Sequence, residues 1–311
     1  MPTLQLQAET VKAEAFRLGF SACGLAEAQP VGTEAAARFG RYLAEGRHAT
    51  MDYLVRHREL RLDPRRLLPG TRTVVSVALN YYPARRLAAD RYRFAYYAYG
   101  LDYHDVVRRR LRTLFERLRA LYGSGLEGRA FCDTAPLPER YWAWKAGLGW
   151  TGRNTQLILP GQGSYFFLGE LLLNAPADRY ATPLAPQCGT CRCCLDACPG
   201  RALDEAGGLD ARRCLSYLTI EHRGPLPEGV RLGRCIYGCD RCQTVCPHNL
   251  SASPTDIPEF SPSDALMDMR PADWQALSVE RYRALFRGSA VKRAKYEGLM
   301  RNIRAVRDTE D

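Results

Sequence analysis

Leu4, Val11, Ala15 and Leu18 recur at near-helical spacing, so residues 4–18 read as an amphipathic helix. Shorter patterns of the same kind cover 34–45 and 50–57. A polar, Pro-punctuated connection from Arg61 to Gly70 leads into Thr73–Tyr82, whose β-branched and apolar residues fit a buried strand. The aromatic run Tyr92–Gly100 then precedes Asp102-Tyr-His-Asp105. Asp105 is placed to cap a long helix ending near Leu121, with Val107, Leu111, Leu114, Leu118 and Leu121 inside and arginines outside. Residues 128–134 are a second strand candidate, and Pro138 and Gly147 bracket a further helix with the expected punctuation. Thr155–Leu159 and Tyr165–Leu173 read as a hairpin around Pro160-Gly-Gln-Gly163. The Pro- and Ser-containing stretch 251–263 is a linker candidate, and 271–307 is helical in pattern.

Alternating strands and helices up to about residue 180 indicate an α/β or α+β domain. The expected organisation is that domain over 1–180, a cysteine-rich module over 181–257 and a helical tail over 258–311. At 311 residues and 46% apolar, the chain can bury a sizeable core, and no run approaches the length of a membrane span. Without a signal or transit pattern the expected location is the cytoplasm, where thiols stay reduced. The net charge of +10 is compatible with a polyanionic partner. Its densest stretch lies in the tail, at Arg281, Arg283, Arg287, Lys292, Arg293, Lys295, Arg301, Arg304 and Arg307. That stretch is the better candidate for touching phosphates, whereas the arginines of the 105–121 helix read as a solvated face.

The 12 cysteines change the picture most. Cys188, Cys191, Cys194 and Cys198-Pro form C-x2-C-x2-C-x3-C-P, the spacing of a ferredoxin with two 4Fe–4S clusters, in which the fourth Cys serves the other cluster. Cys239, Cys242 and Cys246-Pro supply the second loop, incomplete because Ile236 stands where a full repeat has Cys. The crossover rule assigns Cys188, Cys191, Cys194 and Cys246 to one cluster and Cys198, Cys239 and Cys242 to the other. Its fourth ligand is Cys214 or Cys235. Cys235 is one residue out of register, so the reading favours Cys214, which approaches on a separate segment. Structural zinc needs four ligands, fewer than this region offers, and disulfides suit small secreted domains. Cys193 reads as a bystander and Cys23 as a buried small apolar residue.

Electron-carrying clusters leave the electron acceptor open. There is no strand-following G-x-G-x-x-G and no P-loop. Asp133 falls at a strand end before a Pro, where a loop can present its carboxyl to a ligand. Burial there would raise its pKa and make it a proton donor; capping the next helix is an equally good local reading.

The sequence resembles the epoxyqueuosine reductases, which depend on cobalamin and iron–sulfur clusters and complete queuosine in tRNA. The resemblance rests on Leu68-Pro-Gly-Thr-Arg-Thr-Val, Tyr97-Ala-Tyr-Gly-Leu-Asp-Tyr-His104, Phe131-Cys-Asp-Thr-Ala-Pro and Ala146-Gly-Leu-Gly-Trp-Thr-Gly-Arg-Asn154. It continues in Gly163-Ser-Tyr-Phe-Phe-Leu-Gly-Glu170, Cys214-Leu-Ser-Tyr-Leu-Thr-Ile-Glu-His222, Ile236-Tyr-Gly-Cys-Asp-Arg-Cys242 and Arg293-Ala-Lys-Tyr-Glu-Gly-Leu299. It implies an α/β nitroreductase-like cobalamin-binding domain, a two-cluster ferredoxin-like domain and a short, truncated HEAT-like tail. It further implies Asp133 as catalytic acid, Cys214 as the remaining cluster ligand, and Tyr97, His104, Arg140 and Asn154 around corrinoid and substrate. The expected partners are tRNA and an external electron donor, with the chain a monomer away from membranes. Cys132, Arg153, Cys235 and His248 depart from the family pattern, and the short tail limits the expected RNA interface. The alternative within the same cofactor set is reduction of a small molecule such as an organohalide.

Overall fold

The computed structural model describes residues 4–307. Its centre is a four-stranded antiparallel sheet in the order Ala22–Glu27, Thr73–Asn80, Phe166–Leu173, Gly128–Phe131. Alternation along Thr73–Asn80 sends Val75, Val77 and Leu79 to one face and Val74 and Ala78 to the other. The helices Ala8–Arg17 and Tyr103–Tyr122 cover the first face with Val11, Ala15, Val107, Leu111, Leu114 and Leu118. The helix Glu139–Lys145 covers the second with Trp142 and Ala143. Both faces are thus closed, which is why the strand reads as an uninterrupted apolar run. Each fully buried leucine of the long helix contributes about 1.5–3 kcal/mol through removal from water.

The long helix starts three residues earlier than the sequence suggests. Asp102, not Asp105, is its cap, accepting the His104 N–H, and Leu121 is 58% exposed rather than inward. The expected 155–173 hairpin does not form. Leu157–Ile158 pairs with Trp150–Thr151, while Phe166–Leu173, apolar on both sides, takes a central place in the main sheet. Residues 50–57 hold only a single 3₁₀ turn, Asp52–Leu54, and helical turns occupy Arg58–Leu62 and Pro64–Leu67 instead of an irregular connection. Nor is 251–263 a free linker. The Thr255 N–H donates to Tyr82 O at 2.8 Å and Ile257 and Phe260 enter the main core, because apolar side chains interrupt its polar composition.

The tail folds back rather than standing apart. Phe94 stacks on Tyr237, Trp274 and Phe286, uniting the aromatic run, the cysteine-rich module and the tail in one core. Buried Asn302 donates to Thr219 O at 2.8 Å and Ile236 O at 2.9 Å, fastening the Lys295–Arg307 helix to the same module. Among the described residues no helix is long and apolar enough to cross a membrane.

Candidate functional site

The cysteines gather in two groups. Cys188, Cys191, Cys194 and Cys246 line one small cleft with Ile158, Pro247 and His248. Burial lifts the Cys246 thiol, and neighbouring Cys188 and Cys191 add to the effect. Arg153 donates to Gly189 O at 2.9 Å, and His248 meets the Trp150 ring edge-on, so two of the family departures brace this group. In the second group, burial and then the thiols of Cys239 and Cys198 raise Cys214, and Cys242 is raised by burial, Cys239, Cys214 and Cys198. The Cys214 segment reaches that position because Gly200 has no side chain: a Cβ there would lie 1.8 Å from Arg213 O. Cys235 is buried and its thiol hydrogen-bonds Cys239. Cys193 is exposed, and buried Cys23 has its thiol pushed up to about 12.

Among the described residues no three His, Cys, Asp or Glu side chains converge on a single metal ion. Two all-thiol sets, each drawn from more than one segment, suit a cubane with iron at separate corners better than one zinc.

Asp133 follows the edge strand Gly128–Phe131 in a left-handed conformation, φ 56°, which Asp tolerates better than most residues. That turn carries its carboxylate to the start of the long helix. Tyr103 Oη donates to Asp133 Oδ2, and His104 Nε2 lies 3.3 Å from the same oxygen. His104 Nδ1 sits 2.6 Å from Asp102 Oδ1, and Lys292 Nζ is 2.8 Å from Asp102 Oδ2. On the other side, the Asp133 N–H donates to Glu139 Oε1. Glu139 begins the helix over the sheet face that carries Glu170, whose cross-strand neighbour is Ser76.

This network sets the protons. Burial opposes charge on His104, but Asp102 and Asp133 outweigh it and push the imidazole up to about 9. Burial alone would raise Asp133; the hydrogen bonds from His104 and Tyr103 prevail and hold its carboxyl below the usual range. The expected elevation of Asp133 is therefore reversed. Burial, reinforced by Asp133's charge, pushes Glu139 up to about 8. These shifts favour protons on His104 and Glu139 at neutral pH.

The other sequence-derived residues divide. Tyr97 packs edge-on to Tyr103 and donates to Tyr237 Oη at 3.2 Å, placing it beside His104 and Asp133. Arg140 donates to Thr155 O at 2.6 Å and acts electrostatically on Asp133. Asn154 is buried against the ferredoxin loop, donating to Cys242 O at 3.3 Å, and lines the cleft of the first thiol group. Sequence reasoning gave no role to Tyr103, Asp102 or Glu139, and it put Lys292 among the tail cations expected at phosphates, whereas Lys292 pairs with Asp102. Asp102 carried a signal as a helix-capping residue type; the pairing of Lys292, distant in sequence, carried none.

Much of the tail's charge is spent internally. Arg293 pairs with Glu221 at 2.6 Å, and Arg301 donates to the carbonyls of Leu218, His222 and Gly224. Arg283, Arg287, Lys295 and Arg304 stay exposed.

Residues 61–134 match the family model described as epoxyqueuosine reductase QueG, DUF1730, and residues 187–249 match a 4Fe-4S double cluster binding domain. The epoxyqueuosine reductase of Leadbetterella byssophila is 43% identical over 300 residues, covering 96% of this chain and 97% of the relative. That of Escherichia coli is 38% identical over 304 residues, covering 95% of this chain and 79% of the relative. A crystal structure of epoxyqueuosine reductase with an epoxyqueuosine-modified tRNA-Tyr stem loop superposes with a TM-score of 0.88 at 30% identity, covering 96% of this chain and 80% of that one. The Bacillus subtilis enzyme, described with its catalytic aspartate loop swung out of the active site, gives 0.87 at 30% identity with the same coverage. With relatives this similar along nearly its whole length, and with paired cysteine loops and an aspartate-bearing turn, this chain belongs to the epoxyqueuosine reductase family.

Proposed function

We propose that this protein reduces epoxyqueuosine to queuosine in tRNA. Removing the epoxide oxygen leaves an alkene and water and consumes two electrons and two protons. Cobalamin and two 4Fe–4S clusters, when bound, supply the electrons. Cys188, Cys191, Cys194 and Cys246 would hold one cluster, and Cys198, Cys214, Cys239 and Cys242 the other. Tyr97, His104, Arg140 and Asn154 would border the corrinoid and substrate in a domain of nitroreductase-like layout, and the tail would be a shortened HEAT-like element.

The observation that carries the reading is the contact of one half-exposed carboxylate, Asp133 (58% exposed), with two proton donors. Asp133 would face the incoming epoxide oxygen and relay to it a proton drawn from His104, which is protonated through most of the physiological range and lies 3.3 Å away. Tyr103 and the Glu139 contact to the Asp133 N–H hold the turn in place. The relative with a movable catalytic aspartate loop and the one solved with epoxyqueuosine-modified RNA support this assignment. Electrons would come from an external donor to a monomeric chain.

The test is an anaerobic assay with reconstituted clusters, a chemical reductant and epoxyqueuosine-containing tRNA, read by nucleoside mass spectrometry. Loss of one oxygen only when cobalamin is present supports the function. No conversion with all three centres demonstrably bound refutes it and favours a small-molecule substrate such as an organohalide.

A further inference from the structure

A cavity of about 460 Å³ opens behind the Asp133 turn, between the long helix and the outer edge of the sheet. Gly128–Phe131 is the last strand, so this edge carries no further strand. Arg108 and Arg112 reach the cavity from the helix and Arg129 from the strand, and Thr134–Pro136 closes one side. Phe131 and Thr134, which flank the turn, line this cavity, so the segment that carries Asp133 also forms the cavity wall. Leu67 and Phe115 complete an apolar floor.

The cations here are poised for an external anion. Arg108 is oriented from within its own helix, donating to His104 O at 2.8 Å and to Asp105 at 3.1 Å. Arg112 and Arg129 are exposed and have no carboxylate partner among the described residues; Arg129 lies over the Phe131 ring. Arg109, Arg110 and Arg117, on other faces of that helix, are paired with Glu259 or Glu14. Arg112 and Arg129 thus share one cavity without a carboxylate partner among the described residues, although composition alone made this helix a solvated face.

We propose that this cavity binds a backbone phosphate of the RNA substrate, near the nucleotide presented to Asp133. Like-charged guanidiniums held together repel one another, and a phosphodiester between them removes that cost while accepting planar, bidentate hydrogen bonds. A phosphate contact carries no sequence information; it fixes the register in which an exposed loop base enters the neighbouring pocket.

The inference rests on the RNA-substrate reading, so the wild-type holoenzyme must first convert epoxyqueuosine-containing tRNA; failure there sinks that reading and leaves this one without a substrate. The test compares R112Q/R129Q with wild type and R112K/R129K, all with clusters and cobalamin loaded. Binding of a fluorescent anticodon stem-loop is measured by anisotropy across roughly 50–200 mM salt. The glutamine variant should bind more weakly, with its log–log salt slope shallower by about 0.7 for one lost single-strand phosphate contact. Its loss in turnover should fall on KM for RNA, with the lysine variant recovering much of it. Cobalamin affinity, followed by the visible spectrum, and iron content should match wild type. Unchanged RNA affinity and salt slope would overturn the proposal. So would a loss of cobalamin affinity alone, which would give the cavity to the phosphodiester of that cofactor.

Discussion

His104 is the group on which the proton economy of the site turns, and its titration can be predicted before any turnover is measured. Its imidazole moves from an ordinary 6.5 to about 9, a difference worth about 3 kcal/mol at about 1.36 kcal/mol per pH unit. Two carboxylates share that work against burial. Asp102 is buried and 2.6 Å away; Asp133 is 58% exposed and 3.3 Å away. With near-water screening, unit charges about 3.3 Å apart interact by about 1.3 kcal/mol, or about one pH unit. Asp133→Asn should therefore lower the His104 pKa to about 8, while Asp102→Asn should lower it further. The ring resonances of oxidised, isotopically labelled protein followed between pH 5 and 10 would read this directly. Because the folded-state value exceeds the unfolded one, the stabilisation from charged His104 is complete below about 6.5 and is lost as pH rises through about 9. Wild-type turnover should decline over the same upper range, as His104 ceases to hold a proton. A His104 pKa that does not move in Asp133→Asn would refute the argument, since the two groups would not be coupled.

The cluster assignment makes a separable prediction. Cys214→Ser should reduce iron from about eight to about four atoms per chain and remove one cluster's signal, whereas Cys235→Ser should leave iron content intact; the reverse pattern would make Cys235 the ligand. Asp102→Ala removes a helix cap and leaves Lys292 and charged His104 without their buried carboxylate, for a loss of about 2–4 kcal/mol in anaerobic unfolding. Asp102→Asn keeps a capping side chain and should lose less; equal losses would mean that the charge contributes nothing. Leu111→Ala, at a fully buried position under the sheet, should cost about 2–5 kcal/mol while leaving the Asp133 network in place.

The cysteine loops were legible in the sequence because cubane ligation imposes a fixed local spacing, and Cys188, Cys191 and Cys194 meet through one short loop. The strand Thr73–Asn80 and the long helix were legible because their side chains repeat at the period of their backbones. The partner of Phe166–Leu173 was not. A run apolar on both sides states that it is covered, without stating by which strand, and the nearer hairpin lost to pairing with Thr73–Asn80. Asp133 was singled out by its place at a strand end, yet its protonation was misjudged: the outcome depends on Tyr103 and His104, 30 and 29 positions away, and not on burial alone. Lys292 shows the same limit, since its ion pair with Asp102 exists only because the tail folds back across the module.

The most direct measurement of the central claim is a single-turnover experiment on pre-reduced Asp133→Asn with cobalamin and both clusters bound. The account predicts unchanged cofactor spectra and RNA affinity, with the rate of epoxide loss falling about 10²–10⁴-fold. A rate close to wild type would contradict it, because the proton would then reach the oxygen without Asp133.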